Sequence, residues 1–196
     1  MWWLLPTLLF TGARTGELVQ MRLDDVYKVD GILTAHIRAD EEHGQTVKTE
    51  AGKRVVPIHP VLLALGFDEY LERMRGAGHE RVFEAFKLYS DKSSRSASRW
   101  FGEIYKKRFL SEGLGEGKKV LHSFRSTFIT SALNNGADDR LVQQLVGHSN
   151  SKELGATAIY DKGADVPQLF EAIKKVRFDG VDFERLVDGW QGLKLK

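Results

Sequence analysis

The sequence predicts an α+β fold, mainly helical, with a small three-stranded antiparallel sheet near the N-terminus. Three observations point there. Alternating apolar and polar runs fall at 32–37, 45–48 and 54–58, separated by turn-forming stretches. Most of the remaining chain places apolar residues three and four apart, the period of a helix buried on one face. The 196 residues, 42% hydrophobic and 29% charged, suit one ordinary globular domain with a real core, and show no repeat or low-complexity tract.

Taken in order, the first ten residues, Met1-Trp-Trp-Leu-Leu-Pro-Thr-Leu-Leu-Phe10, predict a buried helix with Pro6 in or near its first turn and a break at Thr11-Gly12. They lack the basic segment of a signal peptide and are too short to span a membrane. So abrupt a start on core residues leads us to expect a piece of a longer protein. A second short helix carries Leu18 and Met21 on one side and ends at Asp24-Asp25. The three strands follow, with turns at 41–44 and 50–53, and Pro57 suits a strand end. Helical spacing returns over 61–74, a basic helix is expected over 94–110, and 113–117 is a loop. Ser123 reads as the N-cap of a helix ending at Asn134-Asn-Gly136, with Gly136 in the left-handed cap. Asp138 caps the next helix, which buries Leu141, Val142 and Leu145 and stops at Gly147. Two more helices are expected, around Tyr160 and over 166–176. The domain then covers 1–176. A tail over 177–196 repeats Phe178, Val181, Leu186 and Trp190 at spacings of three to five, as one face of an amphipathic helix does.

Composition narrows the chemistry. The chain has no cysteine, which excludes disulfides and thiolate metal sites and fits a reducing compartment. His122 and His148 lack metalloprotease spacing, so no metal site is expected. The net charge is only +2, but the stretch 92–119 carries eight basic residues against three acids. Such a local excess on a nearly neutral domain suits a polyanion partner.

The candidate chemistry lies in the order of a few polar residues. Arg14 sits in Phe10-Thr-Gly-Ala-Arg-Thr-Gly-Glu17, Lys48 in Val47-Lys-Thr49, and His122 and Arg125 in Val120-Leu-His-Ser-Phe-Arg125. His148 follows in Val146-Gly-His148 and Tyr160 in Ile159-Tyr-Asp161. Taken singly, each is as readily structural. Together they suit attack of a tyrosine hydroxyl on a phosphodiester. Planar, permanently charged guanidinium groups match phosphate oxygens in pairs and stabilise the extra negative charge of the transition state. A phenol with a pKa of about 10 needs a base or a strongly positive site to become a nucleophile, and His122 and the arginines can supply both. The leaving 5′-hydroxyl needs a proton, for which Lys48 is the candidate acid, with Lys53 competing. Glu17, three residues after Arg14, is placed to orient it.

These residues resemble the catalytic domain of the tyrosine recombinase (phage integrase) family. The match rests on Thr11-Gly-Ala-Arg-Thr-Gly-Glu-Leu18, Lys48-Thr with Arg54-Val-Val-Pro-Ile58, His122-Ser-Phe-Arg125, Leu145-Val-Gly-His148 and Tyr160. The resemblance implies a mainly helical catalytic fold, DNA cleavage through a 3′-phosphotyrosyl intermediate, then strand exchange and rejoining, without metal or nucleotide cofactor. Arg14 and Arg125 would clamp the scissile phosphate, Lys48 act as general acid and His122 assist proton transfer. His148 would hydrogen-bond the phosphate and Tyr160 attack it. His148 and Tyr160 stand twelve positions apart, a few more than the family pattern, and the family's N-terminal DNA-clamping domain is missing from the chain. The implied partner is double-stranded DNA, with a tetramer on DNA, a monomer or weak oligomer off it, accessory DNA-bending or directionality proteins, the 177–196 tail exchanged between subunits, and a cytoplasmic, nucleoid-associated location. The alternatives are a type IB topoisomerase-like strand transferase, a non-catalytic DNA-binding module of the same fold, and a phosphatase-like hydrolase; a covalent protein–DNA adduct separates the first of these from the other two.

Overall fold

A computed structural model of the chain describes residues 1–89, 92–109, 119–148, 165–183 and 185. The expected loop at 113–117, the helix around Tyr160, and Leu186 and Trp190 lie outside the described residues. The fold is mainly helical with a three-stranded antiparallel sheet in the order β1-β2-β3.

Helix α1 (Leu4–Thr11) buries Leu4, Leu5, Leu8 and Phe10. It ends because Gly12 turns left-handed, φ 63°, and returns its N–H to the Leu8 carbonyl. Helix α2 (Thr15–Gln20) starts three residues later, and the Glu17 carboxylate accepts the Arg14 N–H at 2.7 Å, satisfying one of the helix's free donors. It ends at Gln20, earlier than expected; Asp24 and Asp25 form a separate 3₁₀ turn, Leu23–Asp25.

Two strand assignments need correction. The first strand is β1 (Val26–Val29), paired to β2 (Ile32–Ile37) across Asp30-Gly31, both at positive φ of 51° and 78°. Asp-Gly favours such a two-residue hairpin. The third is β3 (Arg54–Pro57), antiparallel to β2 with Ile37 opposite Arg54. The run 45–48 is not a strand; after one bridge between Gln45 and Asp40 it crosses as irregular chain.

The expected helix over 61–74 is two helices, α3 (Pro60–Ala64) and α4 (Phe67–Gly76), broken where Gly66 takes φ 87°. The basic helix forms as α5 (Arg95–Trp100) and α6 (Lys106–Phe109), joined by a π-helical turn, Phe101–Tyr105. Helix α7 (His122–Asn134) packs on α1, while α8 (Asp139–Val146) and α9 (Val166–Ile173) pack on β3. Asp138 and Asp165 cap α8 and α9 by accepting the N–H of Leu141 and Gln168. Ser123 is not the cap of α7: the helix begins one residue earlier, without a side-chain cap. The start of the tail lies on its own domain, with the Phe178 and Phe183 rings 5.5 and 5.1 Å from Phe10. Among the described residues no helix is long and apolar enough to cross a membrane.

Candidate active site

The left-handed Gly147 that ends α8 donates its N–H back to the Gln144 carbonyl, so the last carbonyls of the helix point outward without helical partners. Three successive ones are taken by three arginines from three other elements. Arg54 Nε on β3 donates to Leu145 O at 2.7 Å. Arg125 Nη2 on α7 donates to Val146 O. Arg14 Nη2, at the entry to α2, reaches Gly147 O at 3.4 Å. The negative end of the α8 dipole thus gathers three guanidinium groups.

Among the described residues, one carboxylate balances them. Glu17, buried in α2, pairs with Arg54 Nη2 at 2.8 Å through Oε2 and with Arg14 Nη1 at 2.8 Å through Oε1. Burial alone would raise its pKa; the hydrogen bonds and charges of Arg54, and then of Arg14, prevail and hold it below the ordinary carboxylate value. Arg125 also donates to Gly12 O at 2.7 Å and is nearly inaccessible. Burial, then repulsion from Arg14 and Arg54, lowers its pKa to about 10, which still leaves it charged at neutral pH. Three cations with one carboxylate make an electron-poor site that attracts an anion.

His148 follows Gly147 directly. Its Nδ1 lies 2.8 Å from Gln143 Oε1, which places the neutral ring's proton on Nδ1 and leaves Nε2 as an acceptor. Burial, and the nearby Arg125, Arg14, Arg54 and His122 charges, lower its pKa, so the ring is neutral at neutral pH.

Beside this cluster opens a cleft of about 520 Å³ lined by Arg14, Lys48 and His122, among others. His122 heads α7 and is exposed. Lys48 stands on the irregular crossing, which is held by glutamines rather than by a sheet. The Gln20 amide pairs with both backbone groups of Thr46, donating to its carbonyl at 2.5 Å and accepting its N–H at 3.1 Å. Gln45 Nε2 donates to Gln20 O and to Asp25 Oδ2. Lys53, the competitor for Lys48, pairs with Glu50 at 2.9 Å and does not line the cleft.

Five of the six residues singled out in the sequence therefore gather around one end of α8: Arg14, Arg125 and His148 in the charge cluster, Lys48 and His122 in the adjoining cleft. Tyr160 lies outside the described residues. Arg54 and Gln143 are additions from the structure. Arg54 had a sequence signal, since it shares strand parity with the buried Val56; an arginine on an inward face needs a buried acid. Among the described residues no group of three or more His, Asp or Glu is placed to hold a metal.

The sequence profile described as the phage integrase family matches residues 3–165, most of the chain and all six of these residues. The chain belongs to the phage integrase family. Among similar members are the tyrosine recombinase XerC of Lactobacillus delbrueckii subsp. bulgaricus, 27% identical over 76% of this chain and 46% of the relative, and the tyrosine recombinase XerD of Proteus mirabilis, 29% identical over 80% and 45%. The tyrosine recombinase XerD of Lacticaseibacillus casei is 31% identical over 76% and 46%. This integrase-family chain spans about half the length of the curated relatives it matches. No solved structure matches it significantly.

Proposed function

We propose that this chain is the strand-cleaving and rejoining part of a site-specific DNA recombinase acting on double-stranded DNA through a 3′-phosphotyrosyl intermediate. The observation that carries this reading is the set of arginines on the last carbonyls of α8, next to His148 and the cleft bearing Lys48 and His122.

In this reading the scissile phosphate enters beside Arg14 and Arg125, whose remaining N–H groups bind its non-bridging oxygens. The Tyr160 hydroxyl attacks phosphorus, the bond to the 5′-oxygen breaks, and that oxygen takes a proton from Lys48. The phenolic proton passes to a nearby imidazole. His122 and unprotonated His148 Nε2 are the candidates, and the added negative charge of the phosphate raises the pKa of either ring. Once protonated, His148 donates to the phosphate. Reversal with a different 5′-hydroxyl rejoins the strands, so the phosphotyrosine bond conserves the energy and no cofactor is required. Assembly of four subunits on paired sites belongs to the same proposal. Exchange of the tail over 177–196 between subunits belongs to it too; in the single chain the start of that tail, Phe178 and Phe183, packs on Phe10.

The test is a nicked suicide duplex carrying the crossover site, incubated with the full-length protein in EDTA. The expected product is an adduct that survives denaturation and disappears in Tyr160→Phe while binding persists. An adduct of undiminished yield in that variant would overturn the assignment of Tyr160.

A further inference from the structure

A second cleft, of about 360 Å³, adjoins the first and shares Gln20, Thr46, Lys92 and Ser93 with it. Its remaining walls are His43, Gly44, Leu88 and Tyr89. The two form one trough, from Arg14, Lys48 and His122 in its inner half, past Lys92, to His43 and Tyr89 in its outer half.

The outer half is lined and flanked by cations. Lys92 stands exposed at the junction. Lys87 Nζ and the Arg95 guanidinium lie 5.5 and 5.1 Å from the centroid of the Tyr89 ring, so that one ring holds two positive charges at the rim. Asp40, the acid beside His43, is engaged by His43 Nδ1 at 3.0 Å and Arg38 at 3.8 Å. One turn further along α5 the pattern changes, because Arg99 Nε is bound by both oxygens of Glu103. Of the basic stretch beginning at residue 92, Lys92 lines the trough, whereas Arg99 pairs with Glu103.

The junction is tightly built. A Cβ on Gly16 would lie 2.5 Å from Ser93 Oγ, so the glycine lets the segment carrying Lys92 close against α2. The Gln20 clamp on Thr46 fixes the opposite wall. A nucleic-acid strand that places one phosphate in the inner half has to continue out of it, and the outer half continues the same trough with cations alongside.

We propose that the outer half is a subsite for the DNA strand next to the scissile phosphate, with Lys92 pairing to a neighbouring phosphate. The proposal rests on the cleavage reading above and adds a phosphate contact to it.

The first measurement is binding of a short generic duplex as a function of salt. Losing one phosphate contact in Lys92→Ala should flatten the slope of log K against log salt by about 0.9. Lys28→Ala, exposed on β1 and lining neither cleft, should leave the slope unchanged. An unchanged slope in Lys92→Ala, or equal flattening in both variants, overturns the subsite. The second measurement replaces single phosphates beside the scissile one in the suicide duplex by neutral methylphosphonates. One linkage should weaken binding by wild type several-fold and cost Lys92→Ala nothing further; equal costs at every linkage overturn the pairing. A Tyr160 adduct together with an unaltered Lys92 slope removes only the subsite, whereas no adduct with wild type removes the cleavage reading beneath it.

Discussion

Gly12 ties backbone geometry to the arginine cluster through one missing atom. Its φ of 63° is strained for any other residue, a Cβ would lie 2.5 Å from Phe128 Cδ1, and its carbonyl accepts from Arg125. Gly12→Ala should therefore destabilise the fold by about 2–4 kcal/mol, from left-handed strain together with overpacking. It should also slow cleavage under conditions where the variant is fully folded, because the carbonyl that holds Arg125 moves. Denaturant unfolding beside single-turnover cleavage checks both; wild-type stability would show that Phe128 yields freely. At this scale the sequence pointed to Arg14, Lys48, His122, Arg125 and His148 through their order along the chain and the motifs they share with a known family; the structure adds only that they lie near one another. The pairing of Glu17 with Arg54 was not legible, because the partners are 37 residues apart and meet only after the sheet has formed.

Among elements, the crossing at 45–48 is the instructive one. Its alternation suggested a strand, yet Gln45 is buried because its amide bonds Gln20 O and Asp25, not because it faces a sheet. The true first strand, Val26–Val29, was missed although Asp30-Gly31 after it is a hairpin signal stronger than four residues of weak alternation. Helix ends read well where a local residue sets them: Asp138 at the start of α8, Gly136 after α7, Gly147 after α8. The start of α7 did not, since no side chain caps it. The glutamine clamp carries a prediction. Gln20→Ala frees both backbone groups of Thr46 and with them the crossing that bears Lys48. Cleavage should fall by up to about 10²-fold, the scale of a misplaced catalytic group. A substrate with a 5′-thiol-type leaving group, which needs no acid, should restore the rate to both Gln20→Ala and Lys48→Ala. Rescue of Lys48→Ala alone would mean that Gln20 acts on something other than the acid.

For the whole molecule, two buried titratable groups of opposite kind tie stability to acid. His59 caps α3, accepting the Val61 N–H on Nδ1 at 3.1 Å, and stacks against Phe10. Its buried Nε2 makes no hydrogen bond among the described residues. Burial lowers its pKa to about 4. Between the ordinary imidazole value and that point the unfolded chain binds a proton that the folded chain refuses. Stability should thus fall by roughly 3 kcal/mol as pH drops from about 6.5 to about 4. Glu17, whose pKa is lowered, contributes stability above the ordinary carboxylate value and loses it below, as pH falls through its folded pKa. His59→Asn keeps a capping acceptor and removes the titration, so its unfolding free energy should vary less between those pH values than that of wild type. An equal slope would place the acid sensitivity elsewhere. The general form of the molecule, helices around a small sheet, was legible from periodicity. The gathering of the site around α8 was not, because it depends on carbonyl groups, which every residue type carries alike.

That gathering makes the end of α8 an internal counter-ion. In the DNA-free protein three backbone carbonyls and one carboxylate partly neutralise three guanidinium groups, and the residual repulsion is carried by the folded state. A small inorganic anion can relieve it without any DNA. Millimolar phosphate should raise the melting temperature beyond the effect of sodium chloride at equal ionic strength, because a ligand that binds only the folded chain stabilises it by mass action. Arg14→Ala should lose that increment. A phosphate shift that matches the chloride control would mean that the carbonyls already satisfy the cations in full.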